Sequence, residues 1–351
     1  MRAALREAAG RGTNTTMARA LLIALALLLA ACGRHDARAP FLDSQTPPSL
    51  ATRFYPPEGW AWGTVRAGRL PAQRYGVASP AIVPRADVLI TPGYGESAET
   101  WFETARDLIA AGANVWILDR AGQGGSGRFA GPRDVAHAPS FDADVAGLVA
   151  MRELVIRPRP ERPFIILASR DGAVAALRAL EGGMPADGVI LSAPRLARGE
   201  HPELWARAAV RVGLGSLPAP GRRLWRRDGP DGVALKLTHD RWRGAVTGAW
   251  MLANPDLRVS GASVAWTAGH AKASEAAWNE AAAMHAPALM LLPDDAHGDL
   301  ERLCRRMPRC RVQRIEGARP ALHLEADAVR KTWLAAVIGA VPGARAPVGR
   351  T

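Results

Sequence analysis

Residues 163–181 read PFIILASRDGAVAALRALE, and this stretch decides how the rest of the chain is interpreted. Residues 164–167 form a continuous apolar run that is typical of a strand buried on both faces. The Ala/Leu-rich part after Gly172 is typical of a helix. Ala168 and Gly172 are small enough to permit a chain reversal in which larger side chains would collide. The stretch therefore predicts a strand, a very tight turn and a helix, with Arg170 in the turn.

Apolar segments alternate with helical patterns along most of the chain. This alternation predicts an α/β fold with a doubly wound, mostly parallel sheet and right-handed crossovers. Residues 60–79 contain short alternating segments broken by Gly and Pro, which predict an antiparallel edge hairpin. The predicted strands are 87–91, 114–118, 164–167, 188–191, 288–292 and 311–315, and the clearest helices are 99–111 and 141–157.

Residues 195–285 interrupt this alternation. They are rich in Trp, Arg and Ala and show helical spacing, so we expect a helical cap over the carboxyl edge of the sheet. The predicted organisation is a signal peptide over 1–32, a tether over 33–57, the α/β core over 58–194 and 286–342, the cap over 195–285 and a tail over 343–351.

Four sequence blocks resemble one protein family. LITPGYGES and NVWILDRAGQGGSGR, followed by ASRDGAVAAL and IEGARPALHLEADAVR, are similar to the lysophospholipase and monoacylglycerol-lipase branch (serine aminopeptidase S33-type) of the α/β-hydrolases. The segment LTHDRWRGAVTGAWMLANPDLRVSGAS is similar to the cap of that branch. The resemblance extends from Asp87 to about residue 340, and it implies an α/β-hydrolase fold that cleaves carboxylic esters of lysolipids or monoacylglycerols without metal or cofactor.

The catalytic positions of the family are altered in this chain. By resemblance, the nucleophile position on the tight turn (the nucleophile elbow) holds Arg170, and the histidine position holds Pro320. The acid position falls on Asp294 or Asp295. A guanidinium stays protonated and has no lone pair for attack, and the proline nitrogen is locked in an amide. Because triad chemistry needs a nucleophile and a base, the family reaction is expected to be impaired or lost.

The resemblance also places the two backbone N–H groups that would stabilise the oxyanion, on Tyr94 and Asp171. Two rearrangements remain open. A one-residue slip at the elbow gives a shifted Ser169–His323–Asp295 triad, although it puts Asp171 where the family has a glycine. Alternatively, Asp171 itself acts as the nucleophile, as an aspartate does in the dehalogenase and epoxide-hydrolase branches.

Arg170 also suggests a binding role. An arginine beside two oxyanion N–H groups and a helix N-terminus suits a carboxylate or phosphate. The alternative is that Arg170 folds back onto Asp171, Asp119 or Asp295 and closes the pocket. The first hypothesis is therefore a lipid-anchored protein that binds a lipid, acyl or other anionic ligand with little or no hydrolysis. The alternative is an active esterase that uses the shifted triad.

The N-terminus predicts export. Arg19 precedes ALLIALALLLAAC, an apolar run of signal-peptide length that ends in a sequence resembling a bacterial lipobox, with Cys32 as the lipidated residue. Met17 gives a more typical signal length than Met1. The expected location is a bacterial membrane facing the periplasm, with the outer membrane favoured. In that oxidising compartment Cys304 and Cys310 remain as a pair, either bonded or as two free thiols.

The net charge of +12 comes almost entirely from arginine, since lysine occurs only at three positions. No arginine stripe is interleaved with aromatic residues, so nucleic-acid binding is not expected. Attraction to anionic lipid headgroups is the more natural use of this charge. No metal-ligand spacing is present, and no cofactor is expected.

Overall fold

The computed structural model describes residues 38–129, 131–132, 134–196, 204–221, 225, 236–296 and 298–344. Its centre is an eight-stranded sheet with the order β1-β2-β4-β3-β5-β6-β7-β8. The strands are β1 (Ala61–Val65), β2 (Gln73–Ala78), β3 (Ala86–Thr91), β4 (Ala113–Leu118), β5 (Phe164–Ser169), β6 (Gly188–Ser192), β7 (Ala288–Leu292) and β8 (Cys310–Arg314). β1 and β2 form the predicted antiparallel hairpin, β2 pairs antiparallel with β4, and the pairs from β4 to β8 are parallel. The predicted α/β-hydrolase fold is confirmed.

Helices cover both faces of the sheet. The helices are α1 (Phe102–Ala110), α2 (Asp142–Ala150), α3 (Gly172–Glu181), α4 (Leu204–Arg211), α5 (Arg241–Ala253), α6 (Val264–Glu280), α7 (Gly298–Arg306) and α8 (Asp327–Ala340). Short 3-10 helices lie at Thr52–Phe54, Ala98–Trp101, Pro255–Leu257, Ala281–Ala283 and Leu322–Leu324. The helix predicted over 141–157 changes character part-way, because Met151–Ile156 continues α2 as a π-helix.

The central strands explain why the apolar runs are continuous. Every residue of β3 and of β5 is buried. Alternate side chains point to opposite faces, so Ile166 joins one core cluster while Ile165 and Leu167 join the other. Leu177 of α3 lies in the first cluster, and Trp333 of α8 lies in the second. The two faces are thus buried independently, and the carboxyl ends of the strands meet at one edge.

The insertion between β6 and β7 contains α4, α5 and α6, and α6 packs against both α3 and α4. Two N-caps begin its longer helices. The Asp240 carboxylate accepts from the backbone N–H groups of Trp242 and Arg243, and the Ser263 hydroxyl accepts from Trp266. Residues 197–203, 222–224 and 226–235 of the predicted cap lie outside the described residues.

Residues 38–57 of the predicted tether are hydrogen-bonded to the folded domain and packed against it. The Phe41 N–H donates to the Gly125 carbonyl at 2.8 Å. Gln45 and Asn254 exchange two hydrogen bonds, of 2.6 and 2.8 Å. Phe54 is buried in an apolar cluster with residues of the insertion. The segment 38–57 is therefore part of the folded domain, because its few apolar and amide side chains find partners that composition alone does not reveal.

Cys304, near the end of α7, and Cys310, at the start of β8, form the disulfide bond that was one of the two expectations. Among the described residues, no helix is long and apolar enough to cross a membrane. The predicted signal peptide and its Cys32 lie outside the described residues, as do residues 345–351 of the predicted tail.

Candidate active site at the nucleophile elbow

The elbow turn is built as the sequence predicts, around Arg170. β5 ends at Ser169, Arg170 has a positive φ of 46°, and α3 begins at Gly172. A Cβ on Gly172 would lie 2.5 Å from the Pro92 carbonyl oxygen, so only glycine fits there. A left-handed backbone costs a non-glycine residue about 1–2 kcal/mol, and the Arg170 N–H offsets part of this by donating to the Ser192 carbonyl at 2.9 Å.

The Arg170 side chain folds onto two carboxylates. Its Nη1 lies 3.3 Å from Oε1 of Glu96, and its Nη2 lies 3.9 Å from Oδ2 of Asp171. Only 11% of the side chain is exposed. The guanidinium thus folds back onto Asp171, which is one of the three partners that the sequence suggests for a folded-back Arg170. Its other partner, Glu96, is not among those three.

Glu96 lies in the loop after β3, which carries the predicted oxyanion residue Tyr94. Its Oε2 accepts from the Gly93 N–H at 2.8 Å and from Nε1 of Trp101 at 3.1 Å. Burial raises the pKa of Glu96, and the charge of Arg170 offsets this only in part.

The Asp171 side chain contacts the other predicted oxyanion residue. The Tyr94 N–H donates to Asp171 Oδ2 at 3.4 Å, so this predicted oxyanion donor already has a carboxylate as its partner. Oδ1 lies 3.4 Å from Nη1 of Arg195 and 3.3 Å from Nε2 of His270. Burial opposes ionisation of Asp171, but the nearby charges, Arg170 first, together hold its pKa below the ordinary value.

His270 is a member of this site that sequence reasoning missed. It lies on α6, is buried, and its ring stacks nearly parallel to Trp266, with an interplanar angle of 8°. Nε2 also lies 3.2 Å from the Arg195 carbonyl oxygen. Burial lowers the pKa of His270, which Asp171 counteracts in part. Its surrounding sequence, TAGHAKAS, contains no motif that marks it.

His323, the predicted shifted base, lies in an apolar environment. Its ring stacks on Trp101 with centroids 3.7 Å apart, and within the described residues neither ring nitrogen has a hydrogen-bond partner. Burial, followed by the charges of Arg330 and Arg170, lowers its pKa well below the ordinary value. The structure therefore forms no hydrogen bond between His323 and Ser169.

The remaining predicted triad residues are not brought together either. Ser169 is buried at the end of β5, whereas Asp295 is exposed in the turn after β7. The neighbouring Asp294 accepts from the Gly317 N–H at 2.7 Å instead of contacting a histidine. Pro320, in the family's histidine position, is half-buried. The shifted Ser169–His323–Asp295 triad is thus not assembled in this structure.

A serine–histidine hydrogen bond does occur away from the elbow. Nδ1 of His137 lies 2.9 Å from the Ser263 hydroxyl oxygen. Ser263 is fully buried and caps α6, so its oxygen already accepts from the Trp266 N–H at 3.1 Å. This pair fits a structural role at the base of the insertion. Within the described part of the chain, no group of His, Cys, Asp or Glu side chains is arranged to hold a metal ion.

Comparisons with known proteins identify the family. The family described as serine aminopeptidase, S33, matches residues 83–326. Lysophospholipase L2 of Escherichia coli (strain K12) is 30% identical over 271 residues, which is 72% of this chain and 78% of that protein.

Solved structures show the same fold. A soluble variant of monoglyceride lipase from Saccharomyces cerevisiae, in complex with a substrate analogue, has a TM-score of 0.60 at 16% identity, covering 88% of this chain and 99% of that one. A monoacylglycerol lipase from Paleococcus ferrophilus has a TM-score of 0.57 at 17% identity, covering 78% and 99%. The resemblance stated from the sequence is confirmed, and the chain belongs to the serine aminopeptidase S33 family of α/β-hydrolases, with a lysophospholipase-like sequence.

Proposed function

We propose that this protein is a lipid-anchored, catalytically impaired relative of the lysophospholipases that binds an anionic acyl or phospholipid ligand at the elbow. The observation that carries the proposal is the pairing of Arg170 at the nucleophile position with the Asp171 carboxylate at the Tyr94 N–H. The first residue removes the attacking oxygen, and the second places a negative charge beside a predicted oxyanion donor.

The impairment follows from electrostatics. An oxyanion-hole donor contributes to catalysis because it is preorganised for a charge that appears only in the transition state. At Tyr94 this donor already faces Asp171, whose pKa is lowered and which is therefore ionised at neutral pH. A tetrahedral intermediate would have to form against this charge, and removing even one triad member already costs several orders of magnitude in rate.

Support for an anionic ligand comes from Arg195, whose side chain is 56% exposed beside Asp171. Arg170 adds positive charge at the same place, although its guanidinium is already paired at 3.3 Å with Glu96. Guanidinium groups bind carboxylates and phosphates through paired hydrogen bonds. Fatty acids and lysophospholipids carry these groups, and the names of the relatives, lysophospholipase and monoacylglycerol lipase, support a ligand with an acyl chain.

The second candidate is an esterase that uses Ser169, His323 and Asp295. The observation in its favour is that both nitrogens of His323 are without partners among the described residues, so the ring is available to a serine that moves towards it. It requires His323 to leave its stack on Trp101 and Asp295 to turn inward from solvent.

Labelling with a fluorophosphonate probe separates the two candidates. We expect no labelling of the full chain under conditions that label an intact S33 hydrolase. Ser169→Ala and Ser263→Ala serve as matched variants, because Ser263 is the serine that is hydrogen-bonded to His137. Labelling that disappears with Ser169→Ala establishes the esterase and refutes the impaired-enzyme proposal.

Ligand binding is tested with a fluorescent fatty acid and the corresponding neutral alcohol. We expect the acid to bind more tightly, and Arg170→Gln or Arg195→Gln to weaken acid binding by about ten-fold while leaving alcohol binding little changed. Arg302→Gln is the control, since this exposed arginine lies on α7. Equal binding of acid and alcohol, or equal effects of all three substitutions, would refute the anionic ligand.

A further inference from the structure

Exposed apolar side chains are concentrated at the start of the insertion. The "apolar insertion surface" consists of Leu204, Trp205, Val212, Leu214 and Leu217, with Leu204 78% exposed and Val212 70% exposed. All five lie within one short stretch formed by α4 and the turn that follows it. Isolated exposed apolar residues are ordinary, but a cluster of this kind marks an interaction surface.

The backbone beneath this surface is held in place by hydrogen bonds. The Leu214 N–H donates to the Ala209 carbonyl at 2.9 Å and ends α4. The Val264 and Ala265 N–H groups donate to Leu217 and Gly215, each at 2.9 Å, which ties the turn to the start of α6. The apolar side chains are therefore presented to solvent by an ordered part of the fold.

Charge distinguishes this surface from an ordinary protein contact. Residues 204–221 contain two arginines, Arg207 and Arg211, and no acidic residue. Both arginines are exposed. Within residues 204–221 the apolar side chains are accompanied only by positive charge, and this combination is complementary to anionic lipid headgroups above an acyl layer. Tryptophan, represented here by Trp205, is favoured at such a boundary.

We propose that the apolar insertion surface docks on an anionic lipid bilayer, with Leu204, Trp205 and Val212 entering the headgroup boundary. Each arginine would contribute through attraction to the negative membrane surface, and the apolar side chains through removal from water. The docking does not depend on the chemistry at the elbow. It also differs from the predicted anchor at Cys32, because it would fix the orientation of the folded domain and not only its distance from the membrane.

An environment-sensitive fluorophore placed at Val212→Cys in the full chain tests the proposal. Because Cys304 and Cys310 are bonded to each other, the fluorophore can react only with the new thiol and with Cys32. The unsubstituted chain, labelled in parallel, reports any signal from Cys32. Val83→Cys is the matched control, because Val83 is 85% exposed, against 70% for Val212, but lies in the loop between β2 and β3. The vesicles are phosphatidylcholine alone or with about one third phosphatidylglycerol.

We expect a blue shift and a several-fold gain in intensity at position 212 with anionic vesicles, and no change at position 83. The gain should fall when Arg207→Glu and Arg211→Glu are combined, and when salt is raised, because both weaken the attraction to the headgroups. If the fluorophore at position 212 responds to neither type of vesicle, the docking is overturned and a protein partner is left as the explanation of the surface. An equal response at 212 and 83, or with neutral and anionic vesicles, would overturn it as well.

Discussion

Oδ1 of Asp171, the residue after the elbow, lies 3.3 Å from Nε2 of His270 on α6. This contact joins the carboxyl edge of the sheet to the insertion, and both side chains are buried. Arg195 strengthens the connection, since its Nη1 lies 3.4 Å from the same carboxylate oxygen. The elbow is therefore linked to the insertion through the Asp171 side chain.

The first prediction concerns this connection. His270→Ala should lower the free energy of unfolding by about 1–3 kcal/mol, because it removes a buried hydrogen bond to the Arg195 carbonyl, the contact with Asp171 and the stack on Trp266. The measurement is urea unfolding at neutral pH. His285→Ala is the control, since His285 is exposed, and it should change stability by less than about 0.5 kcal/mol. Equal effects of the two substitutions would contradict a structural role of His270.

The second prediction concerns the stacked His323. Burial lowers its pKa well below the ordinary 6.5 in the folded state, so the unfolded chain binds a proton that the folded chain does not. Stability should therefore be full above about pH 6.5 and fall as the pH drops below this value. His323→Phe preserves the stack on Trp101 and removes two unpartnered nitrogens, so it should flatten this dependence without destabilising the protein at neutral pH.

The measurement for His323→Phe is thermal or urea unfolding across the acidic range, compared with the parent chain. His270 has a pKa lowered in the same direction, so part of the dependence should persist in the variant. An unchanged pH profile would show that His323 does not cause the dependence, and a loss of several kcal/mol at neutral pH would show that its ring makes an essential polar contact.

The third prediction concerns the pair at the nucleophile position. Arg170→Met should destabilise the protein by about 1–3 kcal/mol, because Glu96 then lacks its ion-pair partner within a buried site. Adding Glu96→Gln should recover most of this loss, since the amide oxygen can still accept from Gly93 and Trp101. A double-mutant cycle on unfolding free energies gives the coupling, and additive losses would show that the 3.3 Å contact carries no energy.

The elbow and the sheet are predictable from the sequence for a local reason. A buried parallel strand requires a continuous apolar run, and the tight turn requires glycine at Gly172, so both leave a signal in adjacent residues. The contact between Asp171 and His270 leaves no such signal, because it depends on where α6 crosses the sheet edge. The same holds for Glu96. It lies in the loop after β3 with Tyr94, but its contact with Arg170 exists only in the folded chain.

The last prediction concerns a fully buried ion cluster formed by Arg74, Glu99 and Asp119. Arg74 donates to both oxygens of Glu99, at 2.9 and 2.8 Å, and its Nε donates to Asp119 at 2.7 Å. Asp119 in turn accepts from the Ala98 and Gly125 N–H groups and so fixes two loops at the carboxyl edge of the sheet.

Arg74→Met should therefore cost about 3–5 kcal/mol of unfolding free energy, because it leaves two carboxylates buried without their cation. Arg314→Met is the matched control. Its ion pair with Glu301 has a similar length of 2.7 Å but lies at the surface, so its loss should cost less than about 1 kcal/mol. Chemical unfolding of the two variants gives the comparison, and a small loss for Arg74→Met would mean that the loops at the elbow are held chiefly by their backbone contacts.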